Sequence, residues 1–151
     1  MNTLIRNIAP ALLLLVAATS AQTVVAQTAP ADAPASVLTV RVETAANTGK
    51  VMVVLYDSEA AYEGGAPVRG VELDIASGQS QAVIEGLAAG TYGIKAFHDV
   101  NGNGKMDTNP FGMSVEPYAF SNNAVGNMGP AKWDRAHFEV SGQTVQTLNL
   151  R

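Results

Sequence analysis

Val37-Leu38-Thr39-Val40-Arg41-Val42-Glu43-Thr44 decides the fold class. Leu38, Val40 and Val42 fall on one side of the chain, and Thr39, Arg41 and Glu43 on the other. Alternation with period two buries one face of a β-strand and leaves the other to solvent. After the turn signal Asn47-Thr48-Gly49 comes Lys50–Tyr56 (Lys-Val-Met-Val-Val-Leu-Tyr). This run is β-branched and nearly continuous, as expected of a central strand. The two segments are expected to form a hairpin.

The same pattern runs on downstream. Asp57–Pro67 is polar and small and reads as a loop, Val68–Ile75 reads as an edge strand, and Ser80–Ile84 alternates again. Gly86-Leu87-Ala88-Ala89-Gly90 makes a turn before Thr91–His98, where Tyr92, Ile94 and Ala96 share a face. A connection of about 30 residues follows, rich in Asn, Gly and Pro. Arg135–Val140, with Ala136, Phe138 and Val140 inward, and Thr144–Leu150, with Val145 and Leu148 inward, close the chain. No stretch of ten or more residues has a 3.6-residue period. The expectation is an all-β fold: an antiparallel sandwich of about seven strands with one long Asn/Gly-rich loop.

The N-terminus reads differently. Met1–Asn7 holds one charge, Arg6, and Ile8–Ala18 is an apolar run of 11 residues. A membrane-spanning helix needs roughly 20 residues, so the run fits the apolar core of a secretory signal. Val24-Val25-Ala26 offers a small-residue cleavage site, and Thr19-Ser20-Ala21 a second. The expected organisation is a signal peptide over 1–26, a disordered Ala/Pro/Thr-rich lead-in over 27–36, and a sandwich domain over 37–151. The expected destination is the periplasm or the cell exterior. No later segment is apolar enough to span a membrane.

Without Arg6, the remaining eight basic and thirteen acidic residues give a net charge of −5. With no basic cluster, such a surface does not favour nucleic acid. There is no cysteine. This excludes a disulfide scaffold, a thiol nucleophile and attachment of lipid to a cysteine.

The long connection opens with Asp99-Val100-Asn101-Gly102-Asn103-Gly104-Lys105-Met106-Asp107. Oxygen-bearing side chains stand at positions 1, 3, 5 and 9, with glycine at 6. A hard cation needs six to eight oxygens, and a short loop supplies them by wrapping around the ion. Asp99, Asn101, Asn103, the carbonyl of Lys105 and Asp107 fit calcium in this way. The helix–loop–helix version carries a glutamate at position 12, where this chain has Pro110, so a further ligand has to come from Glu116 or Asp134. The alternative is a set of Asn/Gly turns without an ion. Beyond the loop, Tyr118, Phe120, Asn122, Asn123 and Trp133 combine aromatic and amide groups suited to a peptide, a glycan or an envelope protein. The other reading is that the aromatics pack the loop onto the sandwich.

Three stretches resemble the bacterial DUF2141 family of small exported proteins of unknown function. They are Gly86-Leu87-Ala88-Ala89-Gly90-Thr91-Tyr92, His98–Asn109 and Phe120-Ser121-Asn122-Asn123-Ala124. The first is also similar to a segment of transthyretin-like (prealbumin-like) and carboxypeptidase-regulatory-type sandwiches, which implies that fold. The resemblance implies no activity. Metalloprotease, serine-hydrolase and phosphate-loop motifs are absent. Two readings stand: a calcium-stabilised binding or structural module of the cell envelope, or a metal-dependent hydrolase built on the 99–134 region. Mass spectrometry of exported protein should find an N-terminus near Gln27 or Gln22. A mature species that retains Leu12–Leu15 would overturn the signal-peptide reading.

Overall fold

Strand β1 (Ser36–Thr44) buries Ser36, Leu38, Val40 and Val42 and turns Arg41 and Glu43 outward. The computed structural model describes residues 35–150. The expected signal peptide, and the lead-in up to Pro34, lie outside the described residues. Seven further strands follow: β2 (Lys50–Tyr56), β3 (Arg69–Asp74), β4 (Gln81–Leu87), β5 (Gly90–Asp99), β6 (Tyr118–Phe120), β7 (Phe138–Val140) and β8 (Gln143–Leu150). They form a sandwich. One sheet has the order β4-β1-β8; the other runs β3-β2-β5-β6, with β7 also paired to β5. The core lies between them, where Leu38, Val40 and Val42 of one sheet face Val51, Val53 and Leu55 of the other. Each such side chain, fully buried, contributes roughly 1.5–3 kcal/mol.

The structure corrects the sequence reading in several places. β1 and β2 are not a hairpin, because each pairs only within its own sheet. A tight hairpin needs two turn residues. Here Ala45–Gly49 spends five in carrying the chain across the gap of about 10 Å between packed sheets. Nor is the sandwich wholly antiparallel: β1 and β8 run parallel, from Val37↔Gln143 to Thr44↔Leu150. That register sets Val145 beside Thr39 on the outer face, so Val145 is 52% exposed, while Leu148 and Leu150 point in. The expected strand from Arg135 starts only at Phe138, because Trp133–Ala136 forms a short helix, α2.

The turn between β4 and β5 is shorter than expected, because Gly86 and Leu87 belong to β4. At Gly86, where φ is +76°, the pairing slips from Leu38↔Ile84 to Ser36↔Leu87, a bulge that an L-residue with a side chain would resist. Tyr92 then locks the corner, since its Oη donates to the Ala88 carbonyl at 3.0 Å. This is the tyrosine-corner device of β-sandwiches. Burial pushes the Tyr92 phenol above its usual pKa.

A second, smaller core sits on the five-stranded sheet. Ser58 caps helix α1 (Glu59–Gly64) by accepting the Ala61 N–H, and Glu59 complements the positive end. Tyr62 from α1 and Trp133 from α2 meet edge to face at 5.6 Å. Lys95 on β5 lies 4.3 Å above the Tyr62 ring and donates to the Tyr62 carbonyl. Burial lowers the Lys95 pKa, against an opposing pull from Glu63, and raises the Tyr62 phenol to about 12.

Gly93 lets both helices approach. A Cβ there would stand 2.8 Å from Trp133 and 2.9 Å from Tyr62. Gly93→Ala is therefore expected to destabilise the fold by about 1–3 kcal/mol, the usual cost of overpacking. Gly70→Ala, where nothing lies within 4 Å, is expected to change it little. Thermal melting of the pair checks this, and equal melting points for the two variants would refute it.

Candidate functional site: the Asp99–Asp107 loop and the segment that follows

β5 delivers Asp99 to the end of the sandwich, where the side chain is buried. Asp99 Oδ1 accepts the N–H groups of Gly102 (2.8 Å) and Asn103 (3.1 Å), and Oδ2 accepts that of Gly104 (2.6 Å). Three backbone donors on one carboxylate explain why the chain turns here. Gly102 and Gly104 complete the turn in the left-handed region, at φ of +74° and +79°.

The remaining loop side chains converge. Asn101 Nδ2 donates to Asp107 Oδ2 at 2.6 Å, and Asn103 Nδ2 lies 3.0 Å from both Asp107 oxygens. The carbonyl oxygens of the same amides accept backbone N–H groups, Asn101 from Asn103 and Asn103 from Lys105. Glu116 sits beneath as a brace. Its Oε1 accepts the Val100 N–H at 2.9 Å and its Oε2 that of Asp107 at 3.1 Å. Among the described residues, no group of three His, Cys, Asp or Glu gathers to hold a metal ion. The loop's oxygen set depends on its two amides.

His98 anchors the loop from the core side. It is fully buried, and its Nε2 lies 2.7 Å from the Thr48 carbonyl, so Nε2 carries the proton. Its Nδ1 is buried without a hydrogen-bond partner among the described residues. Gly49 is required beside it, because a Cβ there would lie 2.0 Å from the Asp99 carbonyl oxygen.

Asp134, the other candidate ligand, is elsewhere. It follows Trp133, which covers Gly93, six residues before Asp99 on β5. At about 3.3 Å per residue the two ends of that stretch are roughly 20 Å apart. The 99–134 region therefore does not fold into one site, and Glu116 and Asp134 form no carboxylate pair.

The aromatic and amide residues divide as well. Phe120 is buried and Trp133 is half-buried in the small core with Tyr62. Tyr118 is half exposed and meets Phe120 edge to face at 5.7 Å. Asn122 and Asn123 both adopt left-handed backbone, at φ of 59° and 51°. Their side chains clasp the framework. Asn122 Nδ2 donates to the carbonyls of Arg135 and His137, and Asn123 binds the open edge of β8 through Thr147 O (3.0 Å) and Asn149 N (2.9 Å). Ser121 Oγ, just before them, accepts the Ile94 N–H and donates to the Ala136 carbonyl. The Phe-Ser-Asn-Asn run thus fastens three elements together. Sequence reasoning placed these residues without finding that role, because their partners lie 13 to 27 positions away.

Fold and site together define an all-β sandwich in which a long loop built on carboxylates and amides connects β5 to β6 of the five-stranded sheet. The chain belongs to the DUF2141 family, described as an uncharacterized protein conserved in bacteria, whose model matches residues 40–148. No curated protein and no solved structure matches the chain.

The clasp gives a direct test. Asn123→Asp keeps the size and the acceptor of Asn149 N–H but sets a carboxylate against the Thr147 carbonyl. It should cost about 0.5–1.5 kcal/mol, the net worth of a typical hydrogen bond, because the contact is exposed. Asp134→Asn, an exposed site, should cost little. Unchanged melting of Asn123→Asp would return the amide to the ligand candidates.

Proposed function

We propose that this protein is an exported, calcium-stabilised structural or binding module of the bacterial cell envelope. The apolar run at Ile8–Ala18 and the small-residue sites at Ala21 and Ala26 support export. The observation that carries the calcium reading is the meeting of Asn101, Asn103 and Asp107 at 2.6–3.0 Å. Two amide N–H groups there offset the Asp107 charge from the side a cation would occupy. A half-turn of each amide about its last bond would present a carbonyl oxygen at the same place. Asp99 and Glu116 hold the backbone in that shape through five N–H donors. With so few charged ligands the affinity is expected at roughly 10⁻⁴–10⁻³ M, the range of extracellular modules.

Calcium bound only to the folded state must raise stability, by about 1.4 kcal/mol for each tenfold excess over the dissociation constant. Magnesium should do less, because it demands a tight octahedral cage. Asp107 is a better probe than Asp99, whose carboxylate holds the turn whether or not an ion is present. Asp107→Asn should melt near wild type in chelator and lose the calcium shift. Asn103→Asp should melt lower in chelator, from like charges facing each other, and gain a larger calcium shift. Arg41→Ala, on the outer face of β1, should leave the shift unchanged. Identical wild-type melting in chelator and in millimolar calcium would sink the proposal.

A further inference from the structure

From Thr108 to Ala131, 24 residues, the only charged side chain is Glu116. That carboxylate is buried and bonded to Val100 and Asp107, so this stretch presents no charge to solvent. Among the described residues ten large hydrophobic side chains are exposed, and six of them lie here. Phe111 is 85% exposed, Met113 61% and Val115 62%.

This surface is built and not merely uncovered. Thr108 and Ser114 bridge the base of a tip. Asn109 Oδ1 accepts the N–H groups of Phe111 and Met113, and Gly112 turns the chain at φ +78°. The fold therefore spends hydrogen bonds on holding Phe111 and Met113 outward. Beside the tip lies a groove of about 610 Å³, lined by Val115, Pro117, Tyr118, Phe120, Ala124 and Val125 among others. One wall is an open strand edge. His98 N–H donates to Pro117 O, so by alternation the backbone groups of Tyr118 and Phe120 face away from β5.

Charge selects the occupant. The chain carries thirteen acidic and nine basic residues, so two copies have like net charge and repel on average. Across this face they bring no like charges together. Interface cores are depleted of charge and enriched in aromatic residues and Met, as this face is. A protrusion and a groove side by side on one copy are also self-complementary about a two-fold axis. We propose that the 108–131 face is a homodimer interface, in which the Phe111 tip of each copy seats in the groove beside β6 of the other. The inference does not use the calcium loop.

Sedimentation velocity of the exported chain across micromolar concentrations tests it. Wild type should be a dimer, and added salt should not dissociate it. Phe111→Asp should raise the dimer dissociation constant about tenfold or more, as loss of a central anchor does. Phe111→Ser, which adds no charge, should weaken the dimer in the same direction. Val83→Asp, on the outer face of the other sheet, should leave it intact. Melting points equal to wild type would show that the Phe111 variants fold. A wild type that is monomeric throughout, or a dimer indifferent to Phe111→Asp, would overturn the proposal. So would a monomer that pellets with phosphatidylcholine vesicles, which would assign the tip to lipid.

Discussion

Two buried carboxylates accept five backbone N–H groups, and the long connection takes its shape from them. Asp99 gathers Gly102, Asn103 and Gly104, while Glu116 ties Val100 to Asp107. A connection of this length loses much conformational entropy on ordering and offers little apolar surface in return. Hydrogen bonds to an ionised acceptor are worth roughly twice those between neutral groups. They let a polar segment hold a fixed path with few buried side chains. Where the connection ends, the Phe-Ser-Asn-Asn run takes over, with amides in place of carboxylates.

The strands were legible wherever one face meets the core and the other meets water. β1 could be read residue by residue, and so could the inward face of β5. Strand partners were not legible. Alternation fixes which side chains point in, and says nothing of which of two packed sheets a strand joins. That is why Lys50–Tyr56 reads as the hairpin partner of β1, although the two lie on opposite sides of the core. Val145 fails for a related reason: its phase is set by Thr39, far away in sequence. Helix α1 is too short to show a period, and Ser58 before Glu59 was its only local sign.

At the candidate site, spacing found the loop but not its bonding. The positions of Asp99, Asn101, Asn103 and Asp107 follow from any wrapping turn, and Glu116 does reach the same loop. The sequence could not show that Asp134 stands at the other end of β5. Nor could it show that the amides of Asn122 and Asn123 are occupied by the backbone. Composition alone makes an aromatic and amide-rich stretch look like a ligand surface. In the structure it separates into a clasp, a small core and a charge-free face.

The parallel pairing of β1 with β8 has a consequence for how the domain comes together. Gly142 N–H reaches Ser36 Oγ across 106 positions, and all eight residues of β8 lie beside β1. β1 is the middle strand of its sheet, so that sheet lacks one whole side until the last strand arrives. Contacts of such long range make folding slow, because the loop has to close before its contacts contribute. Before β8 arrives, β1 has only β4 as a partner within its sheet. The last pairing of that sheet joins the two ends of the domain, Val37–Thr44 with Gln143–Leu150.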